Sequence, residues 1–140
     1  MKKNVLLDTG PLVASLNRRD GFHEWAKAQL ARIEPPLLTC EAVLAEACFL
    51  LRQTAGGNEA ILELILRGIV ELPFAVDAQT EALIRLMKKY SDVPISLADA
   101  CLVRMSELYA DSAVLTLDTH FKLYRRHGRQ TIPVLMPARS

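Results

Sequence analysis

The sequence predicts an α/β protein built on a mostly parallel sheet whose two faces are covered by helices. Short apolar runs ending at turn residues recur at residues 4–8, 36–39, 113–118 and 131–135. Between them lie longer stretches, 41–53, 58–68, 78–90 and 97–109, in which apolar residues return every three or four positions. That spacing is one face of a helix, whereas a short continuous apolar run fits a strand buried on both sides. Strands alternating with helices are joined by crossovers, and crossovers make parallel sheets.

The elements follow in order. Residues 4–8, NVLLD, form the first strand and end at Asp8-Thr-Gly. Pro11 suits the first turn of a helix, so Asp8 is also a candidate N-cap. Residues 36–39, PLLT, form a second strand ahead of the helix at 41–53, where Glu41 favours the helix dipole. Gly56-Gly57 separates that helix from the one at 58–68. The helix at 78–90 closes on Lys88-Lys89, a solvated end, and Arg18 and Arg19 follow the first helix. Ser96-Leu-Ala-Asp99 fits a capping box opening the helix at 97–109, ahead of Leu102 and Val103. Residues 113–118, AVLTLD, repeat the form of the first strand and end on Asp118, itself a candidate cap for a turn at Thr119. Residues 131–135 supply the last strand. With no internal repeat, low-complexity tract or linker, residues 1–140 read as a single domain.

Composition narrows the class. At 51% apolar and 24% charged residues, the chain is neither disordered nor a membrane protein. No run approaches the roughly 18 apolar residues that span a bilayer, and Met1-Lys2-Lys3 leads straight into a strand, so a cytoplasmic location is expected. Cys40, Cys48 and Cys101 are odd in number, lie among apolar neighbours and lack metal-ligand spacing, which reads as buried, reduced thiols. A net charge of +1 argues against binding nucleic acid by bulk electrostatics and leaves room for a local basic patch. The segment 122–129, KLYRRHGR, is a candidate, with four cationic residues and an aromatic just after Asp118. His23, His120 and His127 have no serine or cysteine partner in any motif and read as surface or packing residues.

The stretch LLDTG at residues 6–10 matches the motif of aspartic proteases, whose paired aspartates share one proton. That chemistry needs two copies on an all-β protein, and here the motif occurs once in a chain that reads half as helix. The acids make better sense together. Ligands of open parallel sheets bind beyond the carboxyl ends of the strands, where Asp8 and Asp118 share one rim. Glu46 has Ala42, Val43, Phe49 and Leu50 as helical neighbours and no lysine or arginine within reach, so its carboxylate is expected on an apolar surface and in need of a cation. Asp99, in a first helical turn, can point off the helix end. Asp8, Glu46, Asp99 and Asp118 form a hard oxygen set of the kind Mg²⁺ takes, with the remaining positions left to water and phosphate.

VLLDT at 5–9, Ala45-Glu46, LADA at 97–100 and LTLD at 115–118, in this order, resemble the PIN-domain nucleases, in particular the toxins of VapBC-type toxin–antitoxin pairs. The resemblance runs from about residue 4 to residue 135. It implies an α/β/α sandwich with a central sheet of four or five strands and RNA cleavage dependent on Mg²⁺ or Mn²⁺. It assigns Asp8, Glu46, Asp99 and Asp118 as catalytic and metal-holding acids, with Asp118 the most variable position among members. It also implies a homodimer and a small cognate antitoxin, the apolar helices at 41–53 and 58–68 offering surface for both. Thr9 and Thr116 match hydroxyl residues common beside the first and fourth acids, while Gly10 stands where the family often has serine or asparagine. The alternatives are a PIN nuclease of RNA processing without a toxin role, or a non-catalytic binding module of the same fold.

Overall fold

The computed structural model describes residues 3–138, so Met1 and Lys2, on which the reading of the N-terminus partly rests, lie outside the described residues. Five strands form one parallel sheet: β1 (Asn4–Leu7), β2 (Leu37–Leu38), β3 (Val70–Glu71), β4 (Ser112–Leu115) and β7 (Val134–Leu135), in the order β3-β2-β1-β4-β7. Leu6 pairs with Leu38 on one side and Val114 on the other, and Leu7 lies opposite Leu115. Every residue of β4 is buried, as are the last three of β1, because helices cover both faces. The chain steps outward from β1 to β3 and then returns to β4 on the other side of β1. The strand order therefore reverses between β1 and β4, and a crevice opens there beyond their carboxyl ends.

Six helices carry the crossovers: α1 (Thr9–Leu16), α2 (His23–Arg32), α3 (Glu41–Leu50), α4 (Gly57–Leu66), α5 (Thr80–Lys89) and α6 (Leu97–Leu108). Gly56, with φ of 70°, adopts the left-handed conformation at the N-cap of α4, after the turn that follows α3. Core packing runs through Leu6, Leu7, Leu12, Leu37, Val43, Leu51, Ile61, Leu102, Met105 and Leu115. The Cys40 and Cys101 thiols, buried and hydrogen-bonded to each other, lie within it. Cys48 is only half-buried.

Four expectations need correction. Helix α2 was not anticipated: it buries Ala26 and little else, so its apolar periodicity is weak. The edge strand β3 is two residues long, too short to leave a pattern. The run 131–135 is not one strand, because Pro133 has no N–H for a ladder. Its first residue pairs in an antiparallel hairpin of β5 (Arg125–Arg126) with β6 (Gln130–Thr131), and its last two form β7. The run 113–118 leaves the sheet after Leu115, so Asp118 lies beyond the strand rather than ending it. Among the described residues no helix is long and apolar enough to cross a membrane.

Candidate active site

The crevice between β1 and β4 is furnished by short local devices. Asp8 caps α1, its Oδ1 accepting from the Thr9 N–H at 2.8 Å, while its own N–H donates to the Leu115 carbonyl. Gly10 lets this helix start close to the β4 side, since a Cβ there would stand 3.3 Å from Leu117 Cβ. Thr116, fully buried, links the two strand ends: its hydroxyl donates to Asp8 Oδ2 at 2.6 Å and accepts from the Asp118 N–H at 2.9 Å. Asp118 in turn caps a short 3-10 helix (Thr119–Lys122), Oδ1 accepting from the His120 N–H and facing His120 Nδ1 at 3.1 Å. Capping and convergence are thus compatible for both acids.

Asp99 arrives from α6. The Ser96 hydroxyl accepts from the Asp99 N–H at 3.0 Å, the N-cap bond of the capping box. The other tie is Tyr124, fully buried, whose hydroxyl donates to Asp99 Oδ2 at 3.0 Å. Its ring packs edge-on against Tyr90 and Phe121, which fixes the direction of that donor. Tyr124 was not singled out by sequence reading, and His120, read there as a surface or packing residue, faces Asp118. The only signal was an aromatic inside the basic run 122–129, and its contact with Asp99 spans 25 positions.

The carboxylates feel one another. Burial raises the Asp8 pKa from 3.8 to about 6, opposed by hydrogen bonds from Thr116 and Thr9, with the charges of Asp99 and Asp118 adding to the rise. Asp99 is also raised, by burial first and then by Asp118 and Glu46, against hydrogen bonds from Tyr124 and Ser96. Burial and the neighbouring Asp99 hold Tyr124 protonated, hence a donor. Asp8, Asp99 and Asp118 therefore form one electrostatic cluster, and Glu46 joins it through Asp99.

The surroundings of Glu46 differ from expectation. It is exposed on α3, beside Phe49 and Leu50 that are themselves exposed, so its charge has no burial penalty to offset. The apolar neighbours read from spacing belong to an open face of the helix.

The oxygen set suits a hard divalent cation. Asp8 uses two of its roughly four lone-pair sites on Thr9 and Thr116, and a positive charge would offset the burial, and the smaller mutual repulsion, that raise Asp8 and Asp99. The Thr9 hydroxyl, buried beside Asp8 without a partner, adds a further unused polar atom. Among the described residues no three His, Cys, Asp or Glu side chains stand close enough to form a ready-made cation cage.

Comparison with known proteins bears on the family and the fold. The model of the PIN domain family matches residues 5–126. Ribonuclease VapC26 of Mycobacterium tuberculosis is 28% identical over 127 residues, covering 89% of this chain and 94% of that protein. The crystal structure of Mycobacterium tuberculosis VapC20, described as a sarcin-ricin loop cleaving toxin, superposes with a TM-score of 0.74. It covers 83% of this chain and 91% of that one, at 21% identity, a likeness of fold.

Proposed function

Because the chain belongs to the PIN domain family over residues 5–126, we propose that it is a metal-dependent endoribonuclease, the toxin of a toxin–antitoxin pair. The observation that supports the reading is Thr116, bonded to both Asp8 and Asp118 where the strand order reverses between β1 and β4. The likeness to Ribonuclease VapC26 along most of both chains supports RNA as the substrate class.

Asp8, Asp99 and Asp118 would hold Mg²⁺ or Mn²⁺. When bound, the metal neutralises phosphate oxygens and lowers the pKa of a water aligned with the scissile bond. The chain's own residues prepare that step. Thr116 keeps the Asp8 carboxylate oriented and Asp118 in register with it. Tyr124 donates to Asp99 Oδ2 and so orients that carboxylate. Glu46, exposed on α3, would hold a second ion or orient the attacking water.

Exposed Phe49, Leu50, Leu62 and Leu66 on α3 and α4 supply an apolar surface for an antitoxin and for a second copy of the chain. The test is cleavage of defined RNA by purified protein with Mg²⁺ or Mn²⁺, with EDTA, and with Asp8→Asn or Asp99→Asn. Cleavage should require the metal and both aspartates, and sequencing the new RNA ends names the bond. EDTA-resistant cleavage by pure protein refutes the reading.

A further inference from the structure

The basic run 122–129 does not spread over the surface as a mobile tail. Phe121 and Tyr124 are buried, the Tyr90 hydroxyl accepts from the Arg125 N–H at 2.7 Å, and β5 pairs with β6. Consecutive residues thus face two places: Tyr124 bonds Asp99, while Arg125 lines a cavity of about 350 Å³ between α5, α6 and the hairpin. Arg85, Lys89, Arg104 and His127 line the same cavity, with Glu107 as its acid.

Charge in this cavity is not balanced. Glu107 is fully engaged, Oε1 by Arg104 at 3.1 Å and Oε2 by the His127 N–H at 2.7 Å, so it offsets one of four cations. Lys89 donates to the Gly128 carbonyl and Arg125 to the carbonyls of residues 122–124, bonds that place these groups without neutralising them. Arg85 makes no hydrogen bond or ion pair among the described residues. Glu81 stands one helical turn before it without an ion pair among the described residues, and Asp77 and Glu81 line an adjoining cavity that shares Ala82, Arg85 and Arg104 with this one. In a chain whose formal net charge is only +1, this is a strong local excess, and a concave site focuses it. Guanidinium groups match the geometry of phosphate oxygens.

We propose that this cavity is a phosphate subsite that grips the sugar–phosphate backbone of single-stranded RNA beside the acidic centre. The proposal rests on the nuclease reading for its substrate class. Arg85 and Lys89 contact backbone phosphate, and Arg104 and Arg125, already ordered by their bonds, form the rest of the wall. Its role is to position the strand, without reading bases.

The test uses full-length Asp8→Asn protein, which does not cleave, and a labelled 12-nucleotide RNA followed by anisotropy in EDTA from 50 to 300 mM salt. Adding Arg85→Ala should weaken binding several-fold for every sequence and reduce the slope of log affinity against log salt by about 0.7, one phosphate contact. Arg85→Ala,Lys89→Ala should roughly double that reduction, while Arg67→Ala, a surface cation on another helix, leaves it unchanged. In otherwise wild-type protein, Arg85→Ala should raise KM for RNA several-fold with kcat nearly constant. Unchanged slope and affinity in the double variant overturns the proposal. Displacement of RNA by 5 mM inorganic phosphate, with affinity independent of RNA length, also overturns it, because the cavity is then a free-anion site. If Arg85 carries RNA binding but wild type cleaves no RNA with Mg²⁺ or Mn²⁺, the subsite stands and the nuclease reading falls.

Discussion

Replacing Asp8 by asparagine should stabilise the metal-free protein at neutral pH and lose that advantage in acid. The Asp8 pKa is raised from 3.8 to about 6 in the folded protein, so the native state holds this proton more tightly than the unfolded chain does. Its favourable contribution is present below pH 3.8 and disappears as pH rises through about 6. At 1.36 kcal/mol per pH unit, the ionised carboxylate costs the fold about 3 kcal/mol at pH 7.5. Asparagine carries no charge and avoids that cost. Its single amide oxygen can serve only one of the Thr9 N–H and the Thr116 hydroxyl, and the NH2 group in the other place cannot accept, so one buried hydrogen bond is lost, about 1 to 1.5 kcal/mol. Asp8→Asn should therefore gain about 1.5 to 2 kcal/mol at pH 7.5. At pH 4 the avoided cost shrinks to about 0.5 kcal/mol and the variant should be equal to or less stable than wild type. Urea unfolding in EDTA at the two pH values reads this directly. With a slope of roughly 1 to 3 kcal/mol per molar, the midpoint should move up by about 0.5 to 2 M at pH 7.5 only. A variant less stable at pH 7.5, or shifted equally at both pH values, would refute the reasoning: Asp8 would then be a structural cap.

Millimolar Mg²⁺ should raise the melting temperature of wild type and move Asp8→Asn and Asp99→Asn less; equal shifts would place the ion elsewhere. Glu46→Gln should leave stability within about 0.5 kcal/mol, because the group is exposed, yet abolish RNA cleavage; a destabilised variant would mean that Glu46 is structural. Thr116→Val is nearly isosteric and removes both bonds that join Asp8 to Asp118, so unfolding should cost about 1 to 3 kcal/mol less and kcat should fall. Leu62→Arg with Leu66→Glu should leave the fold intact and shift light scattering toward monomer, since both side chains are exposed on α4.

Much of the fold was legible because its signals are local. Continuous apolar runs at 4–8 and 113–118 are what buried parallel strands require, and both became neighbouring central strands. The caps were legible too: Ser96 and Asp99 close a box of four residues, and Asp8 sits one residue before its helix. Weak periodicity hid α2, and two-residue edge strands are set by what lies beside them rather than by their own sequence. The order of the four acids and their place after strand or in helix were visible along the chain. Their surroundings were not, and the apolar neighbours of Glu46 turned out to face solvent.

The sequence by itself determined the alternation of strands and helices, the acids it places at their ends and the caps that start α1 and α6. These depend on interactions within four residues, where spacing is geometry. Only the tertiary structure decided that the strand order reverses between β1 and β4 and that Thr116 reaches across 108 positions to Asp8. It alone placed Tyr124 against Asp99 and gathered Arg85, Lys89, Arg104 and Arg125 around one cavity. Those contacts join residues far apart in the chain, and their energies arise from burial and mutual charge, quantities that exist only once the layers have packed.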